Sequence, residues 1–233
     1  MKSTKELNII YKELQDIFPF KEYIEPKEFG SVYETIFKVA EKYLNEGDRI
    51  LDFGCGPCDK TAFLQMSGYN CVGYDDFGDQ WHSYDDNINK IKNFAKEVGI
   101  SLITDETELS NQNKFKMIMV LDVIEHLHNS PRSFLLYLLD KLNEDGILLI
   151  TVPNAGNIRK RISLLFGYTN YPRFKGYYWS SDPWRGHNRE YVYNDLKLLA
   201  KYLDLQCLLI SGRNHMLYKL PFFLHDVRWR SPT

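Results

Sequence analysis

The stretch Arg49-Ile50-Leu51-Asp52-Phe53-Gly54-Cys55-Gly56-Pro57-Cys58-Asp59 decides the fold. Ile50, Leu51 and Phe53 make a short apolar run suited to a buried strand. Gly54 and Gly56 lack a Cβ, so the backbone can turn sharply there and come close to a ligand. The residues from Asp59 to Met66 read as a helix whose first amides point back at that turn. In α/β proteins a strand-turn-helix of this kind is where a nucleotide-like ligand docks. Two chemistries compete for the same residues: binding of an adenosyl ligand through Gly54-x-Gly56, and dithiol redox chemistry through Cys55-Gly56-Pro57-Cys58.

Outward from that stretch, strand and helix alternate. Strands are expected at 49–54, 71–74, 100–104, 116–121 and 147–152, the last entered through the turn Asp145-Gly146. Helices are expected at 59–66, at 87–98 with Asn87 as cap and Gly99 as stop, and at 131–142 with Pro131 in the first turn. Apolar strands separated by helices imply a parallel sheet covered on both faces. Four strands end in polar residues, at Gly54, Asp75, Asp105 and Asp122. These ends should share the carboxyl edge of the sheet, where such folds bind ligands. Asp75 follows the glycine turn by about twenty residues, the offset at which a carboxylate accepts hydrogen bonds from a ribose diol. Two further helices are expected before the first strand, at 3–18 and 28–45, packed on or over the ligand site. After it come a helix at 193–203 and strands at 205–211 and 215–219, which would bring the sheet to seven strands.

With 233 residues, 44% of them hydrophobic, and a net charge of −2, the chain can bury a core and has no global field to attract nucleic acid. Four cysteines, scattered at 55, 58, 71 and 207, do not form a secreted disulfide framework. With no apolar run of membrane-spanning length and no visible signal peptide, a cytoplasmic location is expected. The redox reading weakens against three later strand ends that carry acids. A zinc site lacks its second cysteine pair. Glu125, His126 and His128 are metal-capable residue types, but ordinary pocket polarity explains them, and no metal is expected.

The whole constellation resembles the class I S-adenosylmethionine-dependent methyltransferases, in particular bacterial members that tailor small molecules and cell-envelope components. The matching runs are I-L-D-F-G-C-G at 50–56, V-G-Y-D at 72–75, I-T-D-E-T-E-L at 103–109, M-V-L-D-V-I-E-H-L at 119–127 and G-I-L-L-I-T-V-P-N at 146–154. The resemblance implies a Rossmann-like α/β fold, a mostly parallel seven-stranded sheet flanked by helices. It implies S-adenosylmethionine as cofactor and S-adenosylhomocysteine as product. Asp52, Gly54, Cys55 and Gly56 would line the methionine and ribose end. Asp75 would take the ribose hydroxyls, Asp76, Asp105 and Glu106 would approach the adenine, and Leu121 and Asp122 would border the methionyl group. Cys58 stands where the family commonly has a third glycine.

Residues 1–47 read as N-terminal helices, 48–155 as the cofactor-binding core, 156–192 as a substrate cap and 193–233 as the end of the fold and a tail. The cap interleaves basic and aromatic residues, and Trp184, Arg185, Arg189 and Tyr191 are its candidate substrate contacts. Methyl transfer needs the acceptor held in line and water excluded, and an oxygen acceptor also needs a general base. His126 and His187 are the candidates. The expected acceptor is an oxygen or nitrogen of a sugar, lipid-linked or other carrier-linked molecule. A non-catalytic cofactor-binding protein is the alternative, followed by the dithiol oxidoreductase. Nucleic acid is a disfavoured partner. The apolar and basic tail from His215 offers a peripheral membrane contact, or else docks on the fold or forms a dimer contact.

Overall fold

The computed structural model describes residues 2–24, 31–168, 174–180 and 182–212. These form two compact units, one of Met1–Ile124 with His128–Thr151, the other of Glu125–Leu127 with Val152–Thr233.

The first unit is built on a parallel sheet. Its strands are β1 (Arg49–Phe53), β2 (Asn70–Tyr74), β3 (Ser101–Ile103), β4 (Phe115–Leu121) and β5 (Leu142–Thr151), in the order β3-β2-β1-β4-β5. All four pairings are parallel. The strand order reverses between β1 and β4, and such a switch point leaves a crevice at the carboxyl edge. β4 lies inside the sheet, and six of its seven residues are buried, as its continuous apolar sequence requires.

Helices connect the strands. They are α1 (Thr4–Ile17), α2 (Ser31–Tyr43), α3 (Asp59–Met66), α4 (Asn87–Val98), α5 (Glu106–Ser110) and α6 (Pro131–Asp140). Ser3 and Glu6 close a capping box on α1, whose Leu7, Tyr11 and Leu14 are buried one turn apart. Tyr11 and Tyr33 meet the Phe63 ring of α3 at centroid distances of 6.3 and 5.5 Å. The Tyr33 hydroxyl also hydrogen-bonds the Asp59 carboxylate at the start of α3. The N-terminal helices thus hold the helix that follows the glycine turn.

Several expectations change. The sheet has five strands among the described residues, not seven. Residues 205–212 form no ladder, and a strand exists only where its backbone groups find a neighbour. The strand expected at 215–219 lies outside the described residues. β5 begins at Leu142 rather than after Gly146, and the 145–146 turn is absorbed as an irregularity between the Phe115–Leu142 and Met117–Ile147 pairs. Asp86, not Asn87, precedes α4. Asn87 is buried, and its amide donates to the Trp81 carbonyl at 2.9 Å. Gly99 ends α4 in the left-handed conformation, as expected.

Among the described residues the second unit holds α7 (Ile158–Leu165), α8 (Phe174–Tyr178) and α9 (Tyr193–Tyr202), with a bridge between Asn154 and Tyr191. Among the described residues no helix is long and apolar enough to cross a membrane.

Candidate active site

The carboxyl edge of the sheet gathers the predicted cofactor residues of the first unit. β1 runs into Gly54 and Gly56, whose φ angles are 77° and 50°. A Cβ on Gly54 would come within 2.5 Å of Val123 Cγ2, while one on Gly56 would meet open space. The Gly56 amide donates to Asp75 Oδ2 at 2.8 Å, and the Phe77 amide donates to Asp75 Oδ1 at 2.8 Å. The glycine turn of β1 and the acidic end of β2 are therefore tied together. Burial pushes the Asp75 carboxyl up against the opposing pull of these two amides.

Asp52 is 2% exposed. Its Oδ2 accepts from Thr61 Oγ1 at 2.6 Å. Its Oδ1 is buried and has no hydrogen-bond partner among the described residues. Burial dominates and raises its pKa to about 6. Lys60 sits 3.0 Å from Asp59 Oδ2. Burial alone would favour its neutral form, but Asp59, Asp52 and Asp122 outweigh that and raise its pKa.

Of the remaining predicted cofactor residues, Asp76, Asp105, Glu106 and Asp122 are exposed, while Leu121 and Cys55 are buried. Asp76 accepts from the Gly78 amide at 2.8 Å. Asp105 caps α5, accepting from the Thr107 amide at 2.6 Å, and the Thr107 hydroxyl followed by that amide holds its carboxyl below the usual range. Glu106 is the first residue of α5 and is exposed. Leu121 is buried at the end of β4. Asp122 follows it at φ 55°, with its amide donating to the Thr151 carbonyl at 3.0 Å.

The two cysteines of the turn are buried, and Cys58 Sγ contacts Cys55 Sγ at 3.5 Å. That contact and then burial raise the Cys55 pKa, the opposite of what a redox nucleophile needs.

The second unit holds the predicted catalytic residues. His126 Nδ1 lies 2.6 Å from the Arg185 carbonyl oxygen. A carbonyl only accepts, so Nδ1 carries the hydrogen and Nε2 keeps the lone pair. His187 Nδ1 lies 3.1 Å from Glu190 Oε1, and Lys160 pairs with the other oxygen of Glu190. The same tautomer follows for His187. The two imidazole rings meet edge to face at 4.9 Å. The loop carrying His187 is pinned by the Asn188 amide donating to the Glu125 carbonyl at 2.7 Å and by Asn188 Nδ2 donating to the His126 carbonyl at 2.9 Å. One ligand atom from each of Glu125, His126 and His187 lies within 4.8 Å of the others.

Of the substrate candidates, Trp184 is half-buried with its ring 5.2 Å from Tyr177. Arg185 contributes its carbonyl to His126 while its residue is exposed. Arg189 is exposed over the Tyr191 ring, and Tyr191 is buried, its carbonyl accepting from Ala155 at 3.0 Å.

Against known proteins, a family model described as a methyltransferase domain matches residues 26–209. The chain belongs to the class I S-adenosylmethionine-dependent methyltransferase family. It is 30% identical over 123 residues to a ubiquinone biosynthesis O-methyltransferase of Rickettsia bellii, covering 51% of this chain and 48% of the relative. It is 29% identical over 122 residues to the enzyme of the same name from Rickettsia prowazekii, covering 51% of this chain and 44% of the relative. The chain thus spans about half the length of the curated relatives it matches. TehB from Haemophilus influenzae shares the fold, with a TM-score of 0.52 at 17% identity over 86% of this chain and 58% of that one.

Within this methyltransferase family the glycine turn acquires a sharper meaning. Cys58, at the usual third-glycine position, adopts φ 65°. The turn therefore demands the left-handed conformation there, and a cysteine tolerates it at roughly 1–2 kcal/mol. Sequence reasoning passed over Thr61, Lys60 and Glu190. Glu190 was the most legible of them, three residues after His187.

Gly54 provides a direct test of the turn. Gly54→Ala combines an unfavourable φ with the Val123 clash, so a loss of about 2 kcal/mol in unfolding free energy is expected. Denaturant titration measures it. An unchanged midpoint would mean that the turn relaxes freely and is not the fixed cradle described.

Proposed function

We propose that this chain transfers the methyl group of S-adenosylmethionine to a hydroxyl oxygen of a small or carrier-linked acceptor. The observation that carries the choice of oxygen is the Lys160–Glu190–His187 array, in which Glu190 holds the His187 Nδ1 hydrogen and leaves the lone pair on Nε2. A hydroxyl must shed its proton as it is methylated, and such a nitrogen can take it. That the matched relatives bear O-methyltransferase names supports the same choice.

The residues of the first unit fit the cofactor. The unpartnered Asp52 oxygen suits the ammonium of its methionyl tail, and Lys60 suits the carboxylate. Asp75, with two lone pairs per oxygen, retains acceptor capacity for the ribose diol. Gly54 and Gly56 allow close approach of the backbone. The bound cofactor supplies an electrophilic methyl group on a sulfonium. The chain supplies orientation, exclusion of water and a base. In this reading Glu190 and Lys160 are positioning residues.

Calorimetric titration with S-adenosylmethionine, paired with labelled methyl transfer to matched hydroxyl and amine acceptors, tests the proposal. Micromolar binding weakened at least tenfold by Asp75→Ala is expected, with label on the hydroxyl acceptors. Binding indifferent to Asp75→Ala removes the cofactor assignment, and label on amines alone removes the oxygen assignment. Because Glu125, His126 and His187 also have the spacing of a metal triad, the assay is repeated with a chelator. An unchanged rate is expected of a histidine base.

A further inference from the structure

In the second unit, α7 turns its polar side inward. Asn157 caps it, accepting from the Lys160 amide at 3.0 Å. Lys160 and Ser163 are half-buried, and Lys160 is paired with Glu190. The apolar residues face the other way. Ile158, Ile162 and Leu165, spaced to share one stripe, are 50%, 46% and 84% exposed. Phe166 beyond the helix is 75% exposed. Around α8, Phe174 and Trp179 are 72% and 75% exposed. An ordinary surface helix shows the reverse pattern, apolar inside and charged outside.

Charge follows the same segment. The 27 residues from Ala155 to Ser181 hold five of the chain's 29 Lys and Arg and none of its 31 Asp and Glu. On a helical wheel Arg159 and Arg161 flank the apolar stripe of α7 on either side, and both are exposed. Apolar and aromatic side chains at the centre with cations at the margin are the composition of a helix lying in a lipid interface. A second copy of the same face is a poor occupant, because a two-fold contact would set this acid-free surface against itself.

We infer that α7 and α8 seat this protein on an anionic phospholipid surface, with Leu165 and Phe166 inserted and Arg159, Arg161 and Lys175 at headgroup level. The inference does not rest on the methyl-transfer reading. It moves membrane contact from the tail after His215, which lies outside the described residues, to the cap.

Flotation of the full chain with vesicles tests this, using one part phosphatidylglycerol to three of phosphatidylcholine against phosphatidylcholine alone. Wild type should float with the anionic vesicles and lose most of that binding in high salt. Leu165→Glu with Phe166→Glu should weaken binding at least tenfold, with circular dichroism unchanged because both side chains are solvent-facing. Arg159→Gln with Arg161→Gln should weaken binding about tenfold or more to anionic vesicles and leave neutral vesicles unaffected. Absence of wild-type binding overturns the inference. So does binding lost only on Phe222→Ala with Phe223→Ala in the tail. Sedimentation that shows a dimer broken by Leu165→Glu, with vesicle binding unchanged, assigns the face to a second copy instead.

Discussion

Asp52→Asn is expected to stabilise the cofactor-free protein above pH 6 and to weaken S-adenosylmethionine binding roughly 30- to 100-fold. The first effect follows from burial. The carboxyl is 2% exposed, one oxygen has Thr61 and the other has no partner among the described residues, and the pKa rises from 3.8 to about 6. For a carboxyl raised by folding, the sign is fixed by proton counting. Below about pH 4 both folded and unfolded chains are protonated at this site, and it contributes nothing. Between about pH 4 and 6 the unfolded chain ionises first, so stability falls as pH rises. Above pH 6 the folded chain carries the full penalty, on the order of 2–3 kcal/mol. An asparagine keeps the Thr61 contact and removes the charge, which should recover part of that penalty. The second effect is loss of a charge-assisted partner for the cofactor's ammonium, about 2–3 kcal/mol. Affinity of the wild type should rise about tenfold from pH 5 to pH 7 as Asp52 ionises, and the variant should lack that rise. Thermal unfolding and calorimetry at both pH values check the two halves separately. Equal affinity in variant and wild type would leave Asp52 a buried structural acid and move the ammonium site elsewhere.

The same residue shows why the centre of the fold was legible in the sequence. Asp52 sits between Leu51 and Phe53 in a strand too short and too apolar to be anything but buried, and Gly54 and Gly56 follow at positions whose φ is positive. Backbone constraint there is local, so residue types reveal it. Asp105 was legible only in part. It reads equally as a strand end and as a helix cap, and the D-x-x-E pattern from Asp105 to Glu108 signals α5. The expected strand at 205–211 failed for a non-local reason. Its apolar run satisfies strand propensity, but propensity counts only where a neighbouring strand supplies hydrogen bonds. The Lys160–Glu190 pair spans thirty residues and joins a helix to a loop, so no short-range pattern announces it.

That pair leads to the other large effect. His187→Gln is expected to lower turnover 10²- to 10⁴-fold, the usual contribution of a general base, with the S-adenosylmethionine Kd changed less than twofold. Glutamine preserves much of the polar surface and cannot accept a proton at catalytic rates. Glu190→Gln should cost less, about 10- to 100-fold, because the imidazole remains while the group that fixes its tautomer is neutralised. Lys160→Met should resemble Glu190→Gln in direction. A merely structural role would lower stability and cofactor affinity together. A catalytic one lowers kcat while both of those hold. Steady-state kinetics on a hydroxyl acceptor, alongside calorimetry, distinguishes the two. If turnover survives in His187→Gln but falls in His126→Gln, the base is the neighbouring ring. His126 donates Nδ1–H to the Arg185 carbonyl and so carries its lone pair on Nε2 as well. If turnover survives in both variants and in their combination, no histidine deprotonates the acceptor. The chemistry would then rest on orientation and desolvation alone, as for an acceptor that is already a nucleophile at neutral pH.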